Sequence, residues 1–85
     1  MRVFEYTIKD ELGIHARPAG LLVNTAKQFE SNITIQKDST SVSATKLIAL
    51  MGLGIKQGDT IKITIDGTDE EQAEEKISNF LKENL

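Results

Sequence analysis

The chain has 85 residues, of which 10 are Lys or Arg and 13 are Asp or Glu, for a net charge of −3. That length fits one domain over residues 1–85 with a modest core; the absence of cysteine excludes disulfides and thiolate metal sites; and the acidic balance argues against nucleic-acid binding, which needs a basic excess or stripe. No apolar run approaches the roughly 20 residues of a membrane span, and the opening MRVFEYTIKD lacks the apolar core of a signal peptide, so a soluble, cytoplasmic protein is expected.

The segment VFEYTI alternates, with Phe4, Tyr6 and Ile8 on one side and Glu5 and Thr7 on the other, which predicts a half-buried strand. After KDELG the apolar period becomes helical. Ala19, Leu22, Val23, Ala26 and Phe29 form one stripe of a helix expected from Ala16 to Phe29. NITIQ returns to alternation through Ile33 and Ile35, and the turn cluster KDST leads to a short strand anchored by Val42. KLIALMGL is apolar on all sides, and its Leu, Ala and Met content favours a short helix. TIKITID alternates again, with Ile61, Ile63 and Ile65 inward. The remainder predicts a last helix with Asp69, Glu70 and Glu71 at its positive end and a stripe of Ala73, Ile77, Phe80 and Leu81. The order β-α-β-β-α-β-α, with one apolar face on every strand, predicts an α+β fold: an open-faced sandwich whose antiparallel sheet carries helices on one face.

The only histidine and the only proline lie close together in LGIHARPAG. Pro18 suits the first turn of the first helix, where a missing N–H costs little. His15 then falls at the N-cap or just before it. The orphan N–H groups of Ala16 and Arg17, with the helix dipole, face whatever His15 carries, and the Arg17 guanidinium suits phosphate oxygens. His15 as a phosphoryl acceptor is one reading of this arrangement. From residue types alone, a polar cap or plain surface histidine is the other. A single histidine without a partner cluster makes no metal site, no cofactor is implied, and no nucleophile elbow is present.

Leu21 stands outside the buried stripe and shares a face with Arg17, flanked by Gly20 and Asn24. In KLIALMGL, either Leu50 and Leu53 pack inward and leave Leu47, Ile48 and Met51 exposed, or the reverse. Either arrangement leaves an apolar patch suited to a partner. So small a chain, without a second lobe, fits a carrier better than an enzyme needing a deep pocket.

GIHARPAG resembles the active-site motif of the HPr family, the histidine-containing phosphocarriers of the bacterial phosphoenolpyruvate:sugar phosphotransferase system. LMGLGIKQGD resembles the family's second-helix and loop segment, and the element order agrees over the whole chain. The resemblance implies an HPr-like open-faced sandwich of four antiparallel strands and three helices. It implies phosphorylation of His15 on Nδ1 by the first enzyme of the system, assistance from Arg17, and transfer to IIA components. It also implies a docking surface for both partners at Leu21, Leu47, Ile48 and Met51. A monomer is the default. One departure stands out. With LGI at Leu53 to Ile55 as the anchor, the regulatory serine of Gram-positive relatives falls on Lys46, which cannot be phosphorylated. Thr45, one residue earlier, is expected to cap the second helix and is a candidate displaced phosphosite. Lys46 keeps open a dedicated relay, such as a nitrogen-type regulatory chain or a dihydroxyacetone-kinase system. An interaction module that carries no phosphate is the remaining alternative.

Overall fold

The computed structural model describes residues 1–85. The elements are β1 (Arg2–Thr7), α1 (Ala16–Ala26), β2 (Asn32–Lys37), β3 (Thr40–Ser43), α2 (Leu47–Gly52), β4 (Thr60–Asp66) and α3 (Glu70–Asn84). The sheet order is β1-β4-β2-β3, and every pairing is antiparallel. The expected α+β order is therefore the observed one.

Register aligns the apolar faces of the strands. Phe4 pairs with Ile63, which pairs with Ile35, which pairs with Val42, so one row of side chains crosses the whole sheet. Tyr6 opposite Ile61 and Ile33 opposite Ile65 flank that row. The other face is polar, with Glu5 across from Lys62 and Thr34 across from Thr64. A slip of one residue would turn every isoleucine into water, so the alternation itself specifies the register.

The helices close the apolar face. α1 buries Pro18, Ala19, Leu22, Val23 and Ala26, and α3 buries Ala73, Ile77 and Leu81. α1 ends at Ala26, earlier than expected. Gln28 N–H and Phe29 N–H bond three residues back, to Thr25 and Ala26, which tightens the chain into a turn. Phe29 still packs on the core from that turn. Leu50 is the residue that α2 buries. This settles the open choice for that helix: Leu47, Ile48 and Met51 face outward.

Thr45 does not cap α2. The N-cap is Lys46, without a side-chain cap bond. The Thr45 hydroxyl bonds Ser43 Oγ at 2.8 Å, and Thr45 N–H donates to the same oxygen at 3.2 Å. The β3 end thus takes up the hydroxyl that capping would have used.

Candidate functional site

The loop from β1 to α1 is held from several sides. Ile8 N–H donates to Asp59 O, and Gly58 N–H donates to Ile8 O. Lys9 and Asp10 both donate their N–H groups to Leu85 O, at 2.6 and 2.9 Å. Gly13 has φ 67°, a left-handed conformation natural to glycine, and its Cα faces the Ile55–Lys56 backbone with no room for a methyl group. The buried Ile14 follows, its N–H donating to Ile55 O at 3.1 Å.

The loop that receives Gly13 is itself braced. Asp59 accepts the N–H of Lys56 at 2.8 Å and pairs with Lys37 at 3.0 Å. These contacts, the backbone bond foremost, hold the Asp59 carboxyl below its usual range. Lys37 also donates to Gly54 O at 2.9 Å, tying the hairpin of β2 and β3 to the same loop.

His15 is the N-cap of α1, with an extended backbone at φ −107° and ψ −176°. Its carbonyl accepts Ala19 N–H at 2.9 Å, while its side chain makes no capping bond. The ring is therefore not spent on the helix. Its side chain is 41% exposed. The first-turn N–H groups of Ala16 and Arg17 lie at the positive end of α1 and can receive an anion. His15, Arg17, Pro18 and Leu21 share an open hollow of about 210 Å³ with Asn84, from the end of α3. Arg17 is exposed.

A second hollow, of about 500 Å³, is lined by Gly20, Asn24, Lys27, Thr45, Lys46, Leu47 and Ile48, among others. α1, α2 and the residues just before α2 therefore bring together six of the residues singled out from sequence: Gly20, Asn24, Thr45, Lys46, Leu47 and Ile48. Met51 lies outside both hollows but is exposed on the same helix as Ile48. Exposures of 45% for Leu21, 37% for Leu47, 81% for Ile48 and 39% for Met51 mark an uncovered apolar surface.

Two residues beside His15 escaped sequence reasoning. Asp10 Oδ2 lies 3.9 Å from His15 Nε2 and accepts Leu12 N–H at 3.0 Å. An Asp two residues before a turn N–H is an Asx-turn signal within DELG, so Asp10 had a legible cue. Asn84 had none, because only the packing of α3 brings it to His15. No group of three or more His, Asp or Glu side chains converges to hold a metal ion, and no helix is long and apolar enough to cross a membrane.

A family model described as the PTS HPr component phosphorylation site matches residues 3–83. The phosphocarrier protein HPr of Lysinibacillus sphaericus is 37% identical over 83 residues, which is 98% of this chain and 94% of that protein. The crystal structure of HPr-C-His from Thermoanaerobacter tengcongensis matches with a TM-score of 0.92 and 38% identity, over 96% of this chain and 92% of that one. A histidine-containing phosphocarrier protein of Mycoplasma matches with a TM-score of 0.93 and 35% identity, over 96% of this chain and 93% of that one. The expected HPr-like sandwich is thus the fold observed.

Proposed function

The chain belongs to the HPr family, the phosphoryl carriers of the phosphotransferase system, and from that premise we propose that His15 is the residue that carries the phosphoryl group. The observation that supports this most directly is the position of the ring. It is half-exposed at the N-cap of α1, makes no capping bond, and shares a hollow with Arg17. Phosphate on this ring would meet the N–H groups of Ala16 and Arg17 and the Arg17 guanidinium, whose fork matches phosphate oxygens. A carrier must give up its cargo as readily as it takes it. A solvent-open site with one arginine suits that better than a closed, many-armed cage.

Leu21, Leu47, Ile48 and Met51, with Gly20 and Asn24, are the proposed docking surface. A donor, the phosphoenolpyruvate-dependent first enzyme, and an acceptor, a IIA protein, would use it in turn. The protein would act in the cytoplasm, as a monomer. Lys46 lies within this surface and cannot receive a regulatory phosphate, so control by HPr kinase at this position is not expected. The same lysine supports a second reading, in which the carrier serves a dedicated relay rather than sugar uptake.

Incubation with phosphoenolpyruvate and the first enzyme tests the assignment. Acid-labile, base-stable phosphate is expected on His15 and is expected to vanish in His15→Ala. Label that persists in the variant would overturn the assignment. Adding IIA components one at a time then separates sugar uptake from a dedicated relay.

A further inference from the structure

We propose that Asp10 is a positioning residue for His15: its carboxylate holds the ring's Nε2–H, so that the Nδ1 lone pair is the one presented to phosphorus. The inference rests on His15 being the phosphoryl carrier. Asp10 Oδ2 and His15 Nε2 are 3.9 Å apart, an ion-pair separation that a small ring rotation or one bridging water converts into a hydrogen bond.

The carboxylate is preset rather than floating. Its Oδ2 accepts Leu12 N–H at 3.0 Å. Its backbone N–H is tied to Leu85 O at 2.9 Å, and its carbonyl accepts Gly13 N–H at 3.0 Å. Three bonds thus fix both the backbone and the acid group, and the oxygen that closes the turn is the one nearest the ring. On the other side, Gly13 and Ile14 anchor the histidine backbone to Ile55. The Asp10 carboxylate and the His15 backbone are therefore each anchored, and the ring, which makes no bond of its own, is free to turn toward Oδ2.

A neutral imidazole has one N–H and one lone pair, and an adjacent carboxylate favours the N–H on its own side. With the proton on Nε2, attack requires no proton to leave the ring. The Nδ1 lone pair forms the bond to phosphorus. The bond from phosphorus to the donor's phosphorylated side chain breaks, and its electron pair departs with the donor. The ring keeps its Nε2–H and gains positive charge, which Asp10 offsets from the edge away from the incoming anion. Arg17 meets the phosphoryl oxygens on the other side. This division of labour follows the logic by which a carboxylate orients a catalytic imidazole in hydrolases, in an exposed and hence weaker form.

Asp10→Asn separates this role from that of a turn former, because asparagine also accepts the Leu12 N–H. His15 is the only histidine, so its ring signals in the full chain labelled with nitrogen-15 are unambiguous. At high pH, the ratio of Nε2–H to Nδ1–H tautomers is expected to fall about threefold in Asp10→Asn, the scale of an exposed charge contact. The rate constant for phosphoryl uptake from the phosphorylated first enzyme is expected to fall by roughly three- to tenfold with KM unmoved. An unchanged tautomer ratio, or an unchanged uptake rate with the variant folded as the parent, overturns the proposal. If the parent protein takes no phosphate on His15, the carrier assignment falls and this role with it. That outcome is distinguishable, because the tautomer ratio still responds to Asp10→Asn.

Discussion

Gly13 and Ile55 meet backbone to backbone, with no room for a side chain between them. A methyl group on Gly13 would lie 2.7 Å from Lys56 Cα and would overlap the Ile55 carbonyl. Gly13→Ala adds the strain of a left-handed backbone to that overlap, for a combined cost of about 2–4 kcal/mol. Urea denaturation is expected to show this loss. The folded fraction is expected to accept phosphate more slowly, because Ile14 and His15 shift with the loop. A variant as stable as its parent would contradict the close contact.

Arg17→Lys keeps the charge but loses the guanidinium fork. Phosphoryl transfer through the protein is expected to slow by roughly 10- to 100-fold, less than the ~100- to 1000-fold of removing a donor to a developing anion outright, because the lysine keeps a charged donor. Stability is expected to stay within about 0.5 kcal/mol, since the side chain is exposed. Stopped-flow transfer assays beside urea curves check both numbers.

Ile48 and Leu50 are two residues apart and face opposite ways. Leu50→Ala is expected to cost about 2–5 kcal/mol, because it empties a filled core position. Ile48→Ser is expected to leave stability nearly unchanged while weakening partner binding about tenfold, as removal of an apolar anchor does. Calorimetric titration with a partner protein distinguishes them. Unchanged affinity would move the docking surface elsewhere.

Lys46 supplies no side-chain cap to α2. Lys46→Ser places a hydroxyl where it can accept a first-turn N–H, and is expected to stabilise the fold by about 0.5–1 kcal/mol. A midpoint that does not rise would mean that the hydroxyl turns toward Ser43, as that of Thr45 does.

Asp69 ties the end of the α1–β2 connection to the start of α3. It accepts the Ser31 hydroxyl, Glu30 N–H at 2.9 Å and Ser31 N–H at 2.9 Å. The Ser31 hydroxyl first, then the Glu30 N–H, hold its carboxyl below the ordinary 3.8. Glu70 is lowered likewise, chiefly by Gly67 N–H. A carboxyl depressed in the folded state stabilises fully above its unfolded value, and the gain fades as pH falls through the folded one. Stability is therefore expected to be level from neutral pH to about pH 5 and to decline below about pH 4. Asp69→Asn is expected to lower the urea midpoint at pH 7 and to flatten that decline. An acid slope identical to the parent's would assign it to other carboxyls.

The strands were legible because each shows one face to water and one to the core. Phe4, Tyr6, Ile33, Ile35, Ile61, Ile63 and Ile65 announce their side by alternation alone. The first and last helices were legible from stripes of the right period. The end of α1 was not, because Phe29 continues the apolar period after the backbone has left the helix, and packing rather than helical geometry holds it. Thr45 was misread as a cap because its neighbour Ser43, two residues back, competes for the hydroxyl.

What the sequence determined by itself is what local patterns encode: element order, the inward face of each strand, and a histidine at a helix start beside an arginine. It also carries the family motif. Tertiary structure alone decided which side of the all-apolar α2 turned inward, since no polar residue marks its outer face and only the fit of Leu50 to the core breaks the tie. It also decided the company His15 keeps. Leu85 holds Asp10 in place, and α3 delivers Asn84 from the opposite end of the chain. Contacts between residues so far apart depend on how the sheet and helices close, and no periodicity records them.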